Sequence, residues 1–168
     1  DHVSVTGDQN TAAVCAYNGG TLENLTVAGS IEAKDFAAGI FAASLPMKEE
    51  DETLSKLVNH AKVTADGTAA GIVAQTKEKV LLEDCVNTGV IEAVVAAGIT
   101  TAECENLVLM RCQNYAPIIS SDNESYGITS NLTANLTDCV GVSENVYPIA
   151  ADANESENCL YFISGGEK

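Results

Sequence analysis

The chain has 168 residues, enough for one domain with a substantial core. Hydrophobic residues make up 46% of the chain but aromatic residues only 5%, and Trp is absent, so small and branched aliphatic side chains must fill that core. Acidic residues outnumber basic ones by 24 to 8, and the net charge of −16 argues against binding to nucleic acid or anionic membranes. No apolar run approaches the roughly 18 residues of a spanning helix, so membrane insertion is not expected.

Short segments of similar sequence recur along the chain. Residues 37–40, 69–72 and 96–99 each read Ala-Ala-Gly-Ile, and residues 125–128 read Ser-Tyr-Gly-Ile. Their glycines follow one another at intervals of 32, 27 and 29 residues. A period of this length is typical of stacked units that cannot bury their apolar faces alone.

A second segment keeps phase with the first and begins at residues 25, 57, 85 and 112. Its first column is apolar, its fifth is always Gly or Ala, and its seventh is always β-branched. We therefore predict a core ladder in which equivalent side chains stack from unit to unit. Its first column is Leu25, Leu57, Cys85 and Cys112, and its seventh is Ile31, Val63, Ile91 and Ile118.

The units predict β-strands, because short runs of Val, Ile, Thr and Leu alternate with Gly, Asn or Asp. Only residues 48–60 have spacing suited to one or two helical turns, and the acidic surplus at residues 45–54 predicts a loop. Units of about 27 residues are too short for propeller blades, and a leucine-rich consensus is absent. The remaining architecture is an all-β parallel solenoid of about five to six coils. We expect residues 1–168 to form one domain, a fragment or processed form of a larger protein.

The segment Asp84–Ile91 (Asp-Cys-Val-Asn-Thr-Gly-Val-Ile), followed by Ala96–Ile99, resembles the GLUG repeat of bacterial surface proteins. The resemblance covers roughly residues 20–130, with Ala in place of the family's first glycine in the second motif. It implies a right-handed parallel β-helix and a secreted or cell-surface location. It implies fold and location rather than an activity.

The six cysteines do not follow the pattern of a disulfide framework. Cys85, Cys112 and Cys139 are each 27 residues apart, which predicts a column of buried thiols. A bridge between stacked neighbours would meet poor S–S torsions, because their Cβ vectors are parallel. Cys104 lies between two glutamates and is the best candidate for an exposed or bridged thiol, whereas the facing of Cys15 is left open.

Candidate binding residues are carboxylates at the predicted coil corners. Asp35, Asp66 and Asp122 follow corresponding strands and would stack on one side of the solenoid. Such carboxylates could bind Ca²⁺ weakly, but no Asp-rich nonapeptide repeat supports a dedicated site, and no other cofactor is expected. His2 and His60 lack the spaced partners of a metal site or a catalytic triad, and no catalytic residue is assigned.

These observations favour a non-catalytic, secreted or cell-surface structural or adhesion module that binds a protein or a glycan. Two alternatives stay open. One is a polysaccharide-processing β-helix enzyme, for which Arg111 would need an in-phase carboxylate cluster. The other is a subunit that polymerises end to end, because residues 1–6 and 158–164 are β-prone and carry no evident cap.

Overall fold

The computed structural model describes residues 3–18, 21–44, 52–76, 79–101, 107–131, 133–143 and 155–163. In these ranges the chain is all β, with 23 short strands and no helix. In the first half the strands are β1 Val3–Gly7, β2 Asn10–Ala12, β3 Cys15–Asn18, β4 Leu22–Glu23, β5 Thr26–Val27, β6 Gly29–Ala33, β7 Phe36–Ala38, β8 Phe41–Ser44, β9 Glu52–Ser55, β10 Val58–Asn59, β11 Lys62–Ala65, β12 Thr68–Ala70 and β13 Val73–Gln75. In the second half they are β14 Val80–Glu83, β15 Val86–Asn87, β16 Ile91–Ala97, β17 Val108–Met110, β18 Gln113–Asn114, β19 Ile118–Tyr126, β20 Asn135–Thr137, β21 Val140–Ser143, β22 Glu155–Glu157 and β23 Leu160–Ile163.

The strands form parallel sheets whose neighbours come from successive sequence repeats. Two sheets have six strands each, in the orders β22-β20-β17-β14-β9-β4 and β23-β21-β18-β15-β10-β5. A third has the order β13-β8-β3, and the eight-stranded sheet has the order β1-β6-β11-β16-β12-β7-β2, with β19 also paired to β16. The chain passes from sheet to sheet, and each repeat adds one strand to each six-stranded sheet. The eight-stranded sheet instead takes two consecutive strands from a repeat, such as β6 and β7. This is solenoid-like stacking.

The β-branched column of the repeat lies in strict register. Ile31 pairs with Val63, Val63 with Ile91, and Ile91 with Ile118. All four side chains are buried in one continuous apolar cluster. Because every rung places a similar side chain at this position, the core is filled mainly by repeated aliphatic side chains, together with the buried Phe41.

The Leu/Cys column is aligned by the backbone. In each rung the residue after the column donates its N–H to the carbonyl of the column residue in the previous rung. Leu57, Cys85 and Cys112 are buried, whereas Leu25 is only partly buried at the first rung. The bonds are Val58 to Leu25, Val86 to Leu57, Gln113 to Cys85, Val140 to Cys112 and Leu160 to Cys139.

The helical turns expected within residues 48–60 are wrong where the structure describes them, because residues 52–55 and 58–59 are strands β9 and β10. Leu54 and Leu57 are buried and their neighbours are exposed or half-buried, a pattern that two short strands produce as well as a helix does. Residues 52–54 of the acidic segment expected as a loop also belong to strand β9, in which Leu54 pairs with Leu82. The rest of that segment, residues 45–51, lies outside the described residues.

The residue before the Leu/Cys column adopts a left-handed backbone in every rung. Such a backbone normally favours Gly or Asn, yet Lys and Arg also occupy the position. The bend directs the chain from one six-stranded sheet into the other. The residues are Asn24, Lys56, Asp84, Arg111, Asp138 and Asn158, with φ between 53° and 57° except for Arg111 at 52°.

Candidate functional site

A column of asparagines runs through the interior beside the Leu/Cys column. Asn59, Asn87 and Asn114 are fully buried and lie in register in β10, β15 and β18. The side-chain Nδ2 of Asn59 donates to Oδ1 of Asn87 over 2.8 Å, and Nδ2 of Asn87 donates to Oδ1 of Asn114 over 2.7 Å. At the end of the column, Nδ2 of Asn114 donates to the carbonyl of Val142 over 2.8 Å. We call these three residues the asparagine ladder.

Each rung of the asparagine ladder also holds the local corner. Nδ2 of Asn87 donates to the carbonyl of Gly89 over 2.9 Å, and the N–H of Gly89 donates to Oδ1 of Asn87 over 3.2 Å. Asn59 makes the same pair of bonds with Ala61, and Asn114 makes them with Ala116. Both amide hydrogens are therefore used in every rung, which removes the cost of burying a polar group.

The glycines of the Ala-Ala-Gly-Ile segments leave room for this ladder. A Cβ on Gly71 would lie 2.1 Å from the carbonyl oxygen of Gly98 and 2.7 Å from the amide carbon of Asn87. Gly39 meets Asn59 in the same way, at 2.5 Å. A side chain at these positions would therefore collide with both the next rung and the ladder.

The first rung has a different pair of residues at these two positions. Val27 occupies the asparagine column, because it pairs with Asn59. Ala13 occupies the glycine column, because Ala12 pairs with Ala38 and the residue after Ala38 is a glycine. Ala13 packs against the apolar cluster that contains Val27. Where Val27 stands in place of the asparagine, the methyl group of Ala13 is accommodated. The two columns are thus physically linked.

The thiols form a column of free cysteines. Cys85, Cys112 and Cys139 are fully buried, and Cys159, at the last described rung, is partly exposed. Each buried thiol lies within hydrogen-bonding distance of backbone carbonyls, for example Cys112 Sγ at 3.5 Å from the oxygen of Leu82. Burial raises the pKa of the Cys112 thiol well above its ordinary value, and it also raises the pKa of Cys159. The three fully buried thiols therefore serve as small core side chains.

A charged corner lies outside the Leu/Cys column. Arg111 Nε donates to Asp84 Oδ1 over 2.7 Å, and Arg111 also pairs with Glu83. Two rungs lower on the same side, Lys56 pairs with Glu23 over 3.2 Å. The hydrogen bonds from Arg111 lower the pKa of the Asp84 carboxyl, against a smaller opposing effect of desolvation. Arg111 therefore forms ion pairs that connect two neighbouring rungs.

The predicted carboxylate candidates are exposed but do not form one straight column. The N–H of Asp66 donates to the carbonyl of Ala33, and that of Gly67 donates to the carbonyl of Lys34, so Asp66 is offset by one residue from Asp35. Asp122 lies in β19 where the pairing with β16 shifts register. Its N–H donates to Oγ of Ser120, which fixes the bulge.

The most exposed large apolar side chains are at the last described rung. Leu160, Tyr161 and Phe162 of β23 are 60%, 61% and 58% exposed. In the described sheet β23 is an edge strand, paired only with β21. An edge strand presents unpaired backbone groups, so this rung combines apolar side chains with free hydrogen-bonding groups.

Other expected sites give few further contacts. His60 is exposed, and its Nδ1 lies 2.5 Å from Thr88 Oγ1. Among the described residues no group of three or more His, Cys, Asp or Glu side chains could hold a metal ion. In the same ranges no helix is long and apolar enough to cross a membrane. Cys104 lies outside the described residues, and for Cys15 only the backbone pairing with Phe41 is described.

The asparagine ladder is the feature that sequence reasoning missed. Asn occurs in the third column of three successive repeats, but Asn is so common in turns that its recurrence alone does not predict a buried ladder. The signal that could have predicted the ladder is the correlation between the asparagine column and the glycine column. Rungs with Asn have Gly in the glycine column, whereas the rung with Val27 has Ala13 there.

Fold and site together define an all-β repeat protein with parallel, solenoid-like stacking. No family model, no curated protein and no solved structure matches the chain.

Proposed function

We propose that the chain is a right-handed parallel β-helix of about six coils and serves as a non-catalytic scaffold of a secreted or cell-surface protein. The observation that carries this proposal is the asparagine ladder, which connects successive rungs through buried side-chain bonds. Right-handed connections between parallel strands are strongly preferred in general, and this supports the handedness.

The ladder suits a rigid spacer because its bonds run along the stacking direction. In a parallel stack each rung adds about 4.8 Å, so six rungs extend roughly 29 Å. Bending the stack would stretch the hydrogen bonds between asparagine side chains, and because these bonds are buried, water cannot replace them. The GLUG-like positions Cys85, Asn87 and Gly89 are all buried, so the resemblance concerns the residues that hold the rungs together. This supports a shared architecture.

The outer surface of the stack is where a partner would bind. Asp35, Asp66 and Asp122 are exposed on the side of the eight-stranded sheet. We propose these carboxylates as contacts for a protein or glycan with matching hydrogen-bond donors. A net charge of −16 favours partners that are neutral or basic at the contact.

The test is binding of the purified chain to glycan and extracellular-protein arrays, followed by titration of each hit. The triple variant Asp35→Asn, Asp66→Asn, Asp122→Asn should weaken binding at least about tenfold, as expected for loss of several charge-assisted bonds. The matched control changes carboxylates on the side of the six-stranded sheets: Glu23→Gln, Asp138→Asn and Glu157→Gln. Equal loss in both variants would contradict the assigned surface. Turnover of any polysaccharide, with or without Ca²⁺, would contradict a non-catalytic role.

A second candidate function is favoured by the exposed edge strand β23. Leu160, Tyr161 and Phe162 leave a large apolar surface at one end of the stack. End-to-end assembly of several copies would cover that apolar surface.

A further inference from the structure

We propose that a second copy of this chain stacks head to tail on the last described rung, with its β4 and β5 paired to the edges of β22 and β23 that have no partner among the described residues. This inference goes beyond the scaffold role, which a monomer can fulfil. It rests on the matching chemistry of the two ends.

The two ends are edges of the same two sheets. The six-stranded sheets run from β4 to β22 and from β5 to β23, and all pairings within them are parallel. A copy added in the same direction therefore meets edge strands of the same orientation. Rungs inside the molecule already show that this contact closes in register.

The backbone groups at the two ends are complementary. Inside the stack, the N–H of Val58 donates to Leu25 and the N–H of His60 donates to Val27. On the last rung, the N–H of Leu160 donates back to Cys139, so the backbone groups of Tyr161 point to the open side. The same spacing on a second copy places the N–H of its Thr26 opposite the carbonyl of Cys159.

The side chains at the ends also fit this occupant. Leu25 and Cys159 are the first and last members of one interior column, and both are only partly buried against the core. Stacking would place Leu25 of the second copy over Cys159 and would also cover Tyr161. The left-handed corner is asparagine at both ends, Asn24 and Asn158, so no charge is forced together there.

One contact opposes the stacking and makes it testable. Glu23 and Glu157 occupy the same column of the sheet, so Glu157 would face Glu23 of the second copy. Like charges in adjacent positions repel, and salt screens exposed charges. Self-association should therefore strengthen as salt concentration rises.

The experiment is sedimentation velocity of the full chain over a range of concentrations and salt. A head-to-tail contact is heterologous, so we expect species larger than a dimer to appear with concentration. Glu157→Lys should tighten association about fivefold, because it replaces a repulsive pair with an attractive one. Glu32→Lys changes the net charge equally on β6, which is paired on both sides with β1 and β11, and should have a smaller effect. Adding Glu23→Lys to Glu157→Lys should reverse the gain.

A second variant tests the backbone contact. Tyr161→Pro removes an N–H that faces the open side and should weaken association at least about tenfold, while circular dichroism shows that the strands are retained. Three results would overturn the proposal: a strict monomer at high protein and salt concentration, a species that saturates at two copies, or equal effects of Glu32→Lys and Glu157→Lys.

Discussion

The middle rungs and the last rung carry related sequences but bury them to very different extents. Cys112 is fully buried between two neighbouring rungs, whereas Cys159, in the same column, is partly exposed. The asparagine ladder likewise ends at Asn114, after which the column continues with Gly141 and the exposed Tyr161. A residue's environment in this fold is thus supplied by the rungs above and below it. Changes in the middle should cost far more than the same changes at an end.

The largest effect is expected at the centre of the asparagine ladder. Asn87→Leu leaves one side-chain amide hydrogen of Asn59 and the N–H of Gly89 without acceptors, and should lower the free energy of unfolding by about 4 kcal/mol. The measurement is urea denaturation followed by circular dichroism. Gln113→Ala, which changes a half-buried outward residue next to the ladder, is the control and should cost under about 1 kcal/mol. Equal costs would contradict the ladder.

The next effect tests the link between the glycine and asparagine columns. Gly71→Ala places a methyl group against the carbonyl of Gly98 and the amide of Asn87, and should cost about 3 kcal/mol in the same denaturation experiment. The control is Ala13→Gly, at the equivalent position of the first rung, where only the ordinary flexibility penalty of about 0.5–1 kcal/mol applies. A tolerated Gly71→Ala would show that the rungs are not packed this closely.

A smaller effect compares two cysteines of one column. Cys112→Ser puts a hydroxyl into an apolar interior and should cost about 1–2 kcal/mol, whereas Cys159→Ser should stay within about 0.5 kcal/mol. Thiol labelling of the folded chain, mapped by mass spectrometry, should modify Cys159 well before Cys85, Cys112 and Cys139. Rapid labelling of Cys112 under native conditions would contradict its burial.

The smallest effect concerns the exposed ion pair of Arg111. The pKa of Asp84 is lowered in the folded state, so its contribution is present above its unfolded pKa and is lost as pH falls through the folded value. Arg111→Met should therefore lower the denaturation midpoint slightly at pH 7, and the difference from the parent chain should shrink at pH 3. A difference that grows on acidification would assign the stabilisation to another group.

The sequence alone predicted the parallel stacking because like residues recur at fixed intervals in the Leu/Cys and Ile/Val columns. It failed for the left-handed corner, where Lys56 and Arg111 have no local preference for that backbone. Their conformation is set by the rungs on both sides. Residues 52–55 were mistaken for part of a helix for a related reason, since the pairing of β9 with β14 lies about 28 residues away in sequence.

The carboxylates show a further limit of sequence reasoning. Asp122 was expected to stack with Asp35 and Asp66, but the extra residues of β19 form a bulge that shifts the register. Column alignment cannot locate such an insertion, because it changes the spacing without changing the composition.

The most direct test of the stacked architecture is a nuclear Overhauser spectrum of the ¹⁵N-labelled chain in the region of the asparagine side-chain amides. Cross-peaks linking the amide groups of Asn59 to Asn87, and of Asn87 to Asn114, are expected, together with slow hydrogen exchange of all three groups. Rapidly exchanging amides without such cross-peaks would contradict the internal ladder and with it the vertical alignment of the rungs.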